Sequence, residues 1–276
     1  MRVAASSAGT SSSAATGPII VVGIAAGFLA GLFGVGGGLL VVPALVMTTS
    51  MSQRMAHGTS LAAVVPISLA SLVSYVAHGN VDWTVTLWLT AGAVGGAVIG
   101  TKLLHVLPHR TLGLLFSVIL VASAVRLFIA TAADGRDELT VLGVVALVAI
   151  GVATGIVAGL LGVGGGIIMV PAMILLFAIP PVIAKGTSAA VIVPTALMGT
   201  WRNRRTGNAD MRVAVIVGLA GIVTAIIGGF LADKMSDDLS NVLFATLLGL
   251  VAARLLWQLE RERRQGPPSE EVAAVP

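Results

Sequence analysis

Long runs of apolar residues, separated by short polar segments, occupy the chain from Gly17 to Trp257. Six of these runs are close to the roughly 20 residues that a helix needs to cross a ~30 Å hydrocarbon core. They lack the alternation of apolar and polar positions that is typical of barrel strands. The pattern predicts an all-α polytopic membrane protein with apolar stretches at 18–49, 57–78, 83–104, 111–131, 139–179, 185–201, 212–232 and 239–257.

The composition supports this prediction, since 57% of the 276 residues are hydrophobic and only 10% are charged. Soluble domains carry about 25% charged residues, so a soluble enzyme and a nucleic-acid-binding module are excluded. The chain has no cysteine and therefore no disulfide, thiolate metal site or cysteine nucleophile. Polar residues at 1–17 predict a disordered N-terminal tail, and those at 258–276 predict a polar C-terminal tail.

The two longest stretches contain copies of one glycine-rich segment. Gly27 to Leu45 is identical to Gly155 to Met173 at 12 of 19 positions, at an offset of 128. The same offset aligns HGTSLAAVVP, which starts at His57, with KGTSAAVIVP, which starts at Lys185. We therefore predict a tandem duplication of a four-segment unit, as in many transporters, with repeats at 18–131 and 139–257 and a linker at 132–138.

The positions of Lys and Arg predict the orientation, because these residues collect in cytoplasmic loops. If each glycine-containing stretch returns to its own side as a re-entrant or hairpin helix, 12 basic residues lie inside and 3 outside. If each stretch crosses once, the numbers are 10 and 5. The first arrangement is favoured and places both termini in the cytoplasm. Each repeat then crosses an odd number of times, so the two repeats are inverted.

The glycine clusters are expected to break their helices, because each glycine costs about 1 kcal/mol of helix propensity. Close helix packing is one explanation for such glycines. Breaks at matching points of two repeats are instead typical of a substrate site at the midplane. The free N–H groups and dipole of a restarting helix favour an anion. The predicted anion-binding glycines are Gly34, Gly36, Gly37, Gly38, Gly162, Gly164, Gly165 and Gly166.

Two further expectations concern this motif. A Cβ at Gly37 or Gly165 is expected to obstruct the approach of the anion to the backbone. Pro43 and Pro171 are expected to kink or end the returning helices.

Polar residues that follow the glycine motifs have two interpretations each. The hydroxyl groups are expected either to cap the next helices or to donate to the anion. They belong to Thr59, Ser60, Thr187 and Ser188. His57 and Lys185 are candidate gating or access contacts, although cations near a membrane boundary usually extend to water.

Other polar residues are expected to have structural roles. The helix-capping candidates are Asn80 with Asp82 and Asn208 with Asp210. Arg126 and Arg254, near predicted helix ends, are expected to reach water. Interfacial anchors are predicted at Trp83, Trp201 and Trp257.

The duplicated G-x-x-A-G-x-x-G-V-G-G-G-x-x-x-V-P motif, with an x-G-T-S segment in each half, resembles the TauE/SafE family of sulfite and organosulfonate exporters. The resemblance runs from about Gly23 to Trp257. It implies a permease of the bacterial or archaeal inner membrane that exports small sulfur oxyanions or sulfonates.

The expected function is therefore a secondary transporter that exports a small sulfite-like oxyanion or organosulfonate. The alternatives are an anion channel with the same site, a permease for another small anion, or an assembly subunit. A membrane enzyme is disfavoured, because the apolar stretches contain no cysteine, paired histidines or acidic pair. We expect no cofactor, metal or nucleic acid; the partners are the anion and the bilayer, and the oligomeric state is open.

Overall fold

The computed structural model describes residues 16–49, 51–103 and 139–265, together with 114, 117, 118, 120–122, 124 and 125. Residues 16–49, 51–103 and 139–265 form nine α-helices, and no strand occurs among the described residues. The helices are α1 (Thr16–Phe33), α2 (Gly38–Thr49), α3 (Gln53–Ala77), α4 (Trp83–Leu103), α5 (Val141–Leu161), α6 (Gly166–Phe177), α7 (Pro181–Arg205), α8 (Met211–Lys234) and α9 (Asp237–Gln265). Helices long and apolar enough to cross a membrane are α1, α3, α4, α5, α7 and α8. The predicted all-α, multi-pass membrane protein is confirmed.

Some predicted bounds differ from those of the helices. The fourth stretch of the first repeat, at 111–131, lies largely outside the described residues, and the linker at 132–138 lies wholly outside them. α9 continues to Gln265, eight residues into the predicted C-terminal tail. α1 begins at Thr16, inside the predicted N-terminal tail.

Each glycine-containing stretch consists of a long helix followed by a short one. α1 ends at Phe33 and α2 begins at Gly38, while the equivalent helices α5 and α6 end and begin at Leu161 and Gly166. α2 and α6 have 12 residues each. Pro43 and Pro171 do not end these helices, which continue past them by about one and a half turns.

α2 returns beside α1 after the glycines. A cavity of about 230 Å³ is lined by Val22 and Ala25 of α1 together with Ala44 and Met47 of α2. Val22, in the first half of α1, and Ala25, at its middle, therefore lie near the second half of α2. This neighbourhood indicates that the chain reverses its direction at the glycines.

Glycines four residues apart bring helices from opposite halves into backbone contact. Cβ atoms on α1 would overlap or crowd carbonyl oxygens of α8, at the pairs Gly23–Val217, Gly27–Gly221 and Gly31–Ala225. The equivalent glycines of α5 contact α4 at the pairs Gly151–Leu89, Gly155–Ala93 and Gly159–Ala97. Both helix pairs are parallel, because the contacting residue numbers rise together. Small residues allow this close approach in a membrane.

α3 and α7 form the centre of the bundle and are the most buried of the six long apolar helices. They occupy equivalent positions at the offset of 128. Gly58 of α3 faces Asn203 of α7, and Leu61 faces Gly199, so the two helices run antiparallel. α3 also packs on α8, and α7 packs on α4.

Alanine at Gly31 should lower the thermal stability of the protein, because its Cβ would push α1 away from the backbone of α8. Overpacking of this kind costs about 1–3 kcal/mol, and the midpoint should fall by several degrees. Alanine at Gly95 is the matched control, since nothing lies within 4 Å of a Cβ there. Thermal unfolding of the two variants in detergent, followed by tryptophan fluorescence, checks the difference. Equal midpoints would contradict the α1–α8 contact.

Candidate functional site

The two glycine breaks, Gly34–Gly37 and Gly162–Gly165, lie at the centre of the bundle. Each break packs against the x-G-T-S segment of the other half. A Cβ at Gly34 would overlap the backbone of Lys185, and one at Gly162 would lie 2.7 Å from the carbonyl oxygen of His57. The breaks therefore join the two halves of the chain.

Left-handed backbone conformations explain why glycine occupies the breaks. The φ values are +65°, +78° and +73° at Gly34, Gly36 and Gly37. They are +67°, +89° and +82° at the equivalent residues of the second break, Gly162, Gly164 and Gly165. L side chains are strained in this region, whereas glycine is not.

Two of the glycines, Gly36 and Gly164, face the contact between α3 and α7. A Cβ at Gly36 would lie 3.1 Å from Val64 and 3.2 Å from Ile192, and one at Gly164 would lie 3.3 Å from Ile192. Val64 and Ile192 are equivalent residues of α3 and α7 and are fully buried. They form an apolar wall against both breaks.

Gly37 and Gly165 face another way. A Cβ at Gly37 would lie 2.7 Å from the carbonyl oxygen of Ala26, and one at Gly165 would lie 3.1 Å from that of Thr154. Substitutions there meet the preceding helix of the same half. Gly36 and Gly164 are therefore the sharper positions for testing an obstruction.

Buried N–H groups without partners accompany the breaks. Within the described part of the chain, no acceptor is hydrogen-bonded to the N–H groups of Gly36, Gly37 and Gly38, although these residues are buried. The same holds for Gly164, Gly165 and Gly166. Buried backbone N–H groups are nearly always paired in folded proteins. These donors stand at the N-terminal ends of α2 and α6, where the helix dipole is positive.

The serines of the x-G-T-S segments bind the opposite break. Ser60 donates from Oγ to the carbonyl oxygen of Gly162 at 2.9 Å, and Ser188 donates to that of Gly34 at 2.8 Å. Their hydroxyl protons are thus directed at carbonyl groups. Their role as donors to an anion remains a prediction.

The threonines support the turns that precede α8 and α4. Thr59 Oγ1 accepts from the N–H of Asp210 at 2.9 Å, and Thr187 Oγ1 accepts from the N–H of Asp82 at 3.0 Å. None of the four hydroxyl residues caps a helix, because α3 and α7 begin more than one turn earlier. Ser52 is the N-cap of α3 and accepts from the N–H of Met55.

His57 and Lys185 extend towards the C-terminal ends of the broken helices. His57 Nδ1 donates to the carbonyl oxygen of Leu161, the last residue of α5, at 2.6 Å. Lys185 Nζ donates to Ser240 Oγ at 2.5 Å and lies 5.4 Å from the ring centroid of Phe33, the last residue of α1. Lys185 is 1% exposed, so the interpretation that it reaches water is wrong. The gating role of both residues remains a prediction.

The predicted aspartate caps are confirmed. Asp82 Oδ1 accepts from the N–H groups of Thr84 and Val85, both at 3.0 Å. Asp210 is the N-cap of α8 and accepts in the same way. The two asparagines do not cap: Asn80 donates to Asp233, and Asn208 donates to Thr206.

The remaining sequence candidates lie at the periphery. Trp83, Trp201 and Trp257 are exposed, as a lipid-facing anchor requires. Arg254 donates to the sulfur of Met47 at 3.4 Å and is also exposed, while Arg126 lies outside the described residues. Among the described residues, no cluster of His, Asp and Glu could hold a metal ion.

Sequence reasoning missed three central residues. Val64 and Ile192 lie four residues after Ser60 and Ser188, so the helical period places them on the same faces. Tyr75 is fully buried and donates to the carbonyl oxygen of Gly31 at 2.6 Å. The apolar pattern of the sequence does not indicate that Tyr75 is buried.

Comparison with known proteins identifies the family of this chain. The sulfite exporter TauE/SafE family matches residues 19–152 and 146–276. The chain belongs to the TauE/SafE family. Its TauE/SafE match spans both glycine breaks and both x-G-T-S segments.

Several relatives are named as probable membrane transporter proteins. YunE from Bacillus subtilis is 26% identical over 87% of this chain and 97% of its own length. A Xylella fastidiosa protein is 28% identical over 84% of this chain and 91% of its own length. A Methanocaldococcus jannaschii protein is 26% identical over 86% of this chain and 94% of its own length. No solved structure matches the chain.

Proposed function

We propose that this TauE/SafE protein is a secondary transporter that exports a small sulfur oxyanion or organosulfonate, such as sulfite, across the cytoplasmic membrane. The anion binds at the midplane, between the two glycine breaks. One observation carries the proposal: two equivalent sets of buried N–H groups, at Gly36–Gly38 and Gly164–Gly166, have no acceptor in the described part of the chain.

The chemistry of these donors suits an oxyanion. A helix N-terminus offers converging N–H groups and a partial positive charge, which together bind sulfate-like and phosphate-like groups. Backbone donors also limit the number of Lys and Arg side chains that the hydrocarbon region must hold. A sulfur oxyanion would accept from both breaks, since its oxygens point in several directions.

The helix directions support an inverted arrangement of the repeats. α3 and α7 are equivalent helices and run antiparallel. α2 returns beside α1, so the hairpin ends on the side where it began. With the basic loops inside, both termini are cytoplasmic and the two breaks meet near the midplane.

The apolar wall favours a carrier over a channel. Val64 and Ile192 pack against both breaks, within 3.1–3.3 Å of where a Cβ of Gly36 or Gly164 would lie. The anion therefore reaches its site only when α3 and α7 move apart. A carrier of this kind shows saturable counterflow in liposomes, whereas a channel shows unitary currents.

Alanine at Gly164 should reduce sulfite flux into proteoliposomes about fivefold, because its Cβ occupies the space between the breaks. The second break still donates, so some flux remains. Alanine at Gly79 is the control: its φ is +73°, and nothing lies within 4 Å of a Cβ there. It carries similar backbone strain away from the site.

Flux and thermal stability are measured on both variants. The proposal predicts similar stability losses with flux lost at Gly164 alone. If flux follows stability in both variants, the glycines act in packing and the proposed site is wrong. A wild-type protein without flux of sulfite or any small sulfonate would overturn the proposed function.

A further inference from the structure

A second polar cavity lies away from the glycine breaks, between the ends of α4 and α7. It has a volume of about 330 Å³, and its lining includes Lys102 of α4 and Arg202, Asn203 and Arg205 of α7. Lys102 and Arg205 are exposed, and Arg202 is partly buried. None of its lining residues, all of them in the described part of the chain, is acidic. We call this cavity the basic vestibule.

Arg202, which lines the vestibule, has one donor without a partner among the described residues. Its Nε is buried and has no hydrogen-bond partner among the described residues. The neighbouring polar groups are engaged: Asn203 donates to the carbonyl oxygen of Gly199 at 2.9 Å, and the Arg205 guanidinium lies 3.9 Å from the ring centroid of Trp201. A guanidinium presents two parallel N–H groups that match two oxygens of an oxyanion.

The vestibule breaks the symmetry of the two repeats. At the offset of 128, Lys102 corresponds to Phe230, Arg202 to Ser74 and Arg205 to Ala77. Each cation of the vestibule thus has an uncharged counterpart at the ends of α3 and α8.

Polar groups of the counterpart surface have partners within that surface. Ser74 donates to the carbonyl oxygen of Ile226 at 2.9 Å. His78 lies 3.8 Å from Asp233, which also accepts from Asn80. Asp233 and Lys234 end α8 with opposite charges. The helix framework is repeated, but at the offset of 128 the three cations of the vestibule are not.

We propose that the basic vestibule binds the exported sulfur oxyanion before the anion reaches the glycine breaks. This inference rests on the proposed transport function and adds a second binding site to it. In the proposed topology, residues 201–212 face the cytoplasm, so the vestibule opens on the side from which an exported anion arrives. At the opposite face the three equivalent residues are uncharged, which favours release.

A different explanation of the cations is their favourable interaction with a helix C-terminus, since Arg202, Arg204 and Arg205 all lie in the last turn of α7. Arg204 separates the two explanations. It is exposed and does not line the cavity, although it has the same charge and lies in the same turn. Arg204→Gln is therefore the matched control for Arg202→Gln.

The experiment uses a single cysteine at Thr206, which lines the vestibule, in a chain that has no other cysteine. The Thr206→Cys protein is placed in lipid nanodiscs and labelled with anionic, neutral and cationic methanethiosulfonates. Sulfate is the competing anion, with ionic strength held constant by gluconate. The Ala77→Cys protein reports on the counterpart surface.

The anionic reagent should label Thr206→Cys about tenfold faster than the cationic one. This preference should be absent at Ala77→Cys. Sulfate should slow the labelling. The Arg202→Gln variant should need about tenfold more sulfate for the same protection, which corresponds to the loss of one hydrogen bond to a charged group. Arg204→Gln should leave the protection unchanged. An unchanged rate with the neutral reagent shows that the Arg202 variant keeps its local structure.

Two results would overturn the proposal that the vestibule binds the anion. They are no protection by sulfate, or an equal loss of protection in the Arg202 and Arg204 variants. Nanodiscs with and without phosphatidylglycerol distinguish a free anion from a lipid headgroup. We expect equal protection in both. Protection that disappears with the anionic lipid would assign the cavity to a headgroup and refute the proposal.

Sulfite flux separates this inference from the proposed function. Protection of Thr206→Cys in a protein that moves no anion would keep the vestibule as an oxyanion site and reject the transporter. If Arg202→Gln leaves the flux unchanged at low sulfite, the vestibule is not an anion-binding site on the transport pathway. The proposed transport function would still stand.

Discussion

Replacing Gly34 with alanine is expected to remove most of the folded protein. Its φ of +65° costs an L residue about 1–3 kcal/mol. Its Cβ would also overlap the backbone of Lys185, and no rotamer change relieves an overlap with backbone atoms. Overpacking adds about 1–3 kcal/mol or more. The sum is comparable with the about 5–15 kcal/mol by which whole proteins are stable.

Alanine at Gly79 separates the two costs. Gly79 has a φ of +73°, and nothing lies within 4 Å of a Cβ there, so only the strain remains. Recovery of monodisperse protein and the thermal midpoint should fall far more for Gly34→Ala than for Gly79→Ala. Equal losses would mean that the contact between the first glycine break and α7 contributes nothing to stability. The packing of Gly34 against Lys185 would then be wrong.

Methionine at Lys185 should make the protein more stable while it lowers sulfite flux more than tenfold. Lys185 is 1% exposed and donates to a single hydroxyl group, that of Ser240. Replacing buried charged groups with apolar residues of similar volume is often neutral or stabilises by about 1–4 kcal/mol. Methionine keeps the length of the side chain and its packing near Phe33. The lost flux reflects the loss of a positive group beside the first glycine break.

Thermal midpoints and flux of Lys185→Met and Lys185→Arg check this prediction. Arginine keeps the charge and should retain more flux than methionine, at a cost in stability from its larger volume. His57→Leu, at the equivalent position, should reduce flux less than Lys185→Met does. Lys185→Met with full flux and higher stability would remove Lys185 from the transport pathway.

The sequence contained enough information to predict the helices and the positions of both breaks. Bilayer thickness sets the length of an apolar stretch, and three consecutive glycines weaken a helix at any depth. The offset of 128 then identified equivalent residues such as Ser60 and Ser188, which make equivalent hydrogen bonds. These features depend on local chemistry and on duplication, which are both visible along one chain.

Contacts between the halves could not be predicted in the same way. The spacing of Gly23, Gly27 and Gly31 indicates a face for close packing but does not identify α8 as the partner. The x-G-T-S segments looked like helix starts, since polar residues usually mark the ends of apolar stretches. In the structure Thr59 and Thr187 lie inside helices, where their hydroxyl groups are satisfied by the opposite half.

The parallel glycine-packed pairs also decide which parts of the protein can move as rigid bodies. α1 is held to α8, and α5 is held to α4, so each pair joins one helix from each repeat. Backbone contacts without side chains between them leave no clearance for sliding. For the proposed carrier we therefore expect α1 and α8 to move as one body and α5 and α4 as another. The mechanical halves of the protein are not its sequence halves, and a chain cut between residues 132 and 138 would give two fragments that each lack part of both bodies.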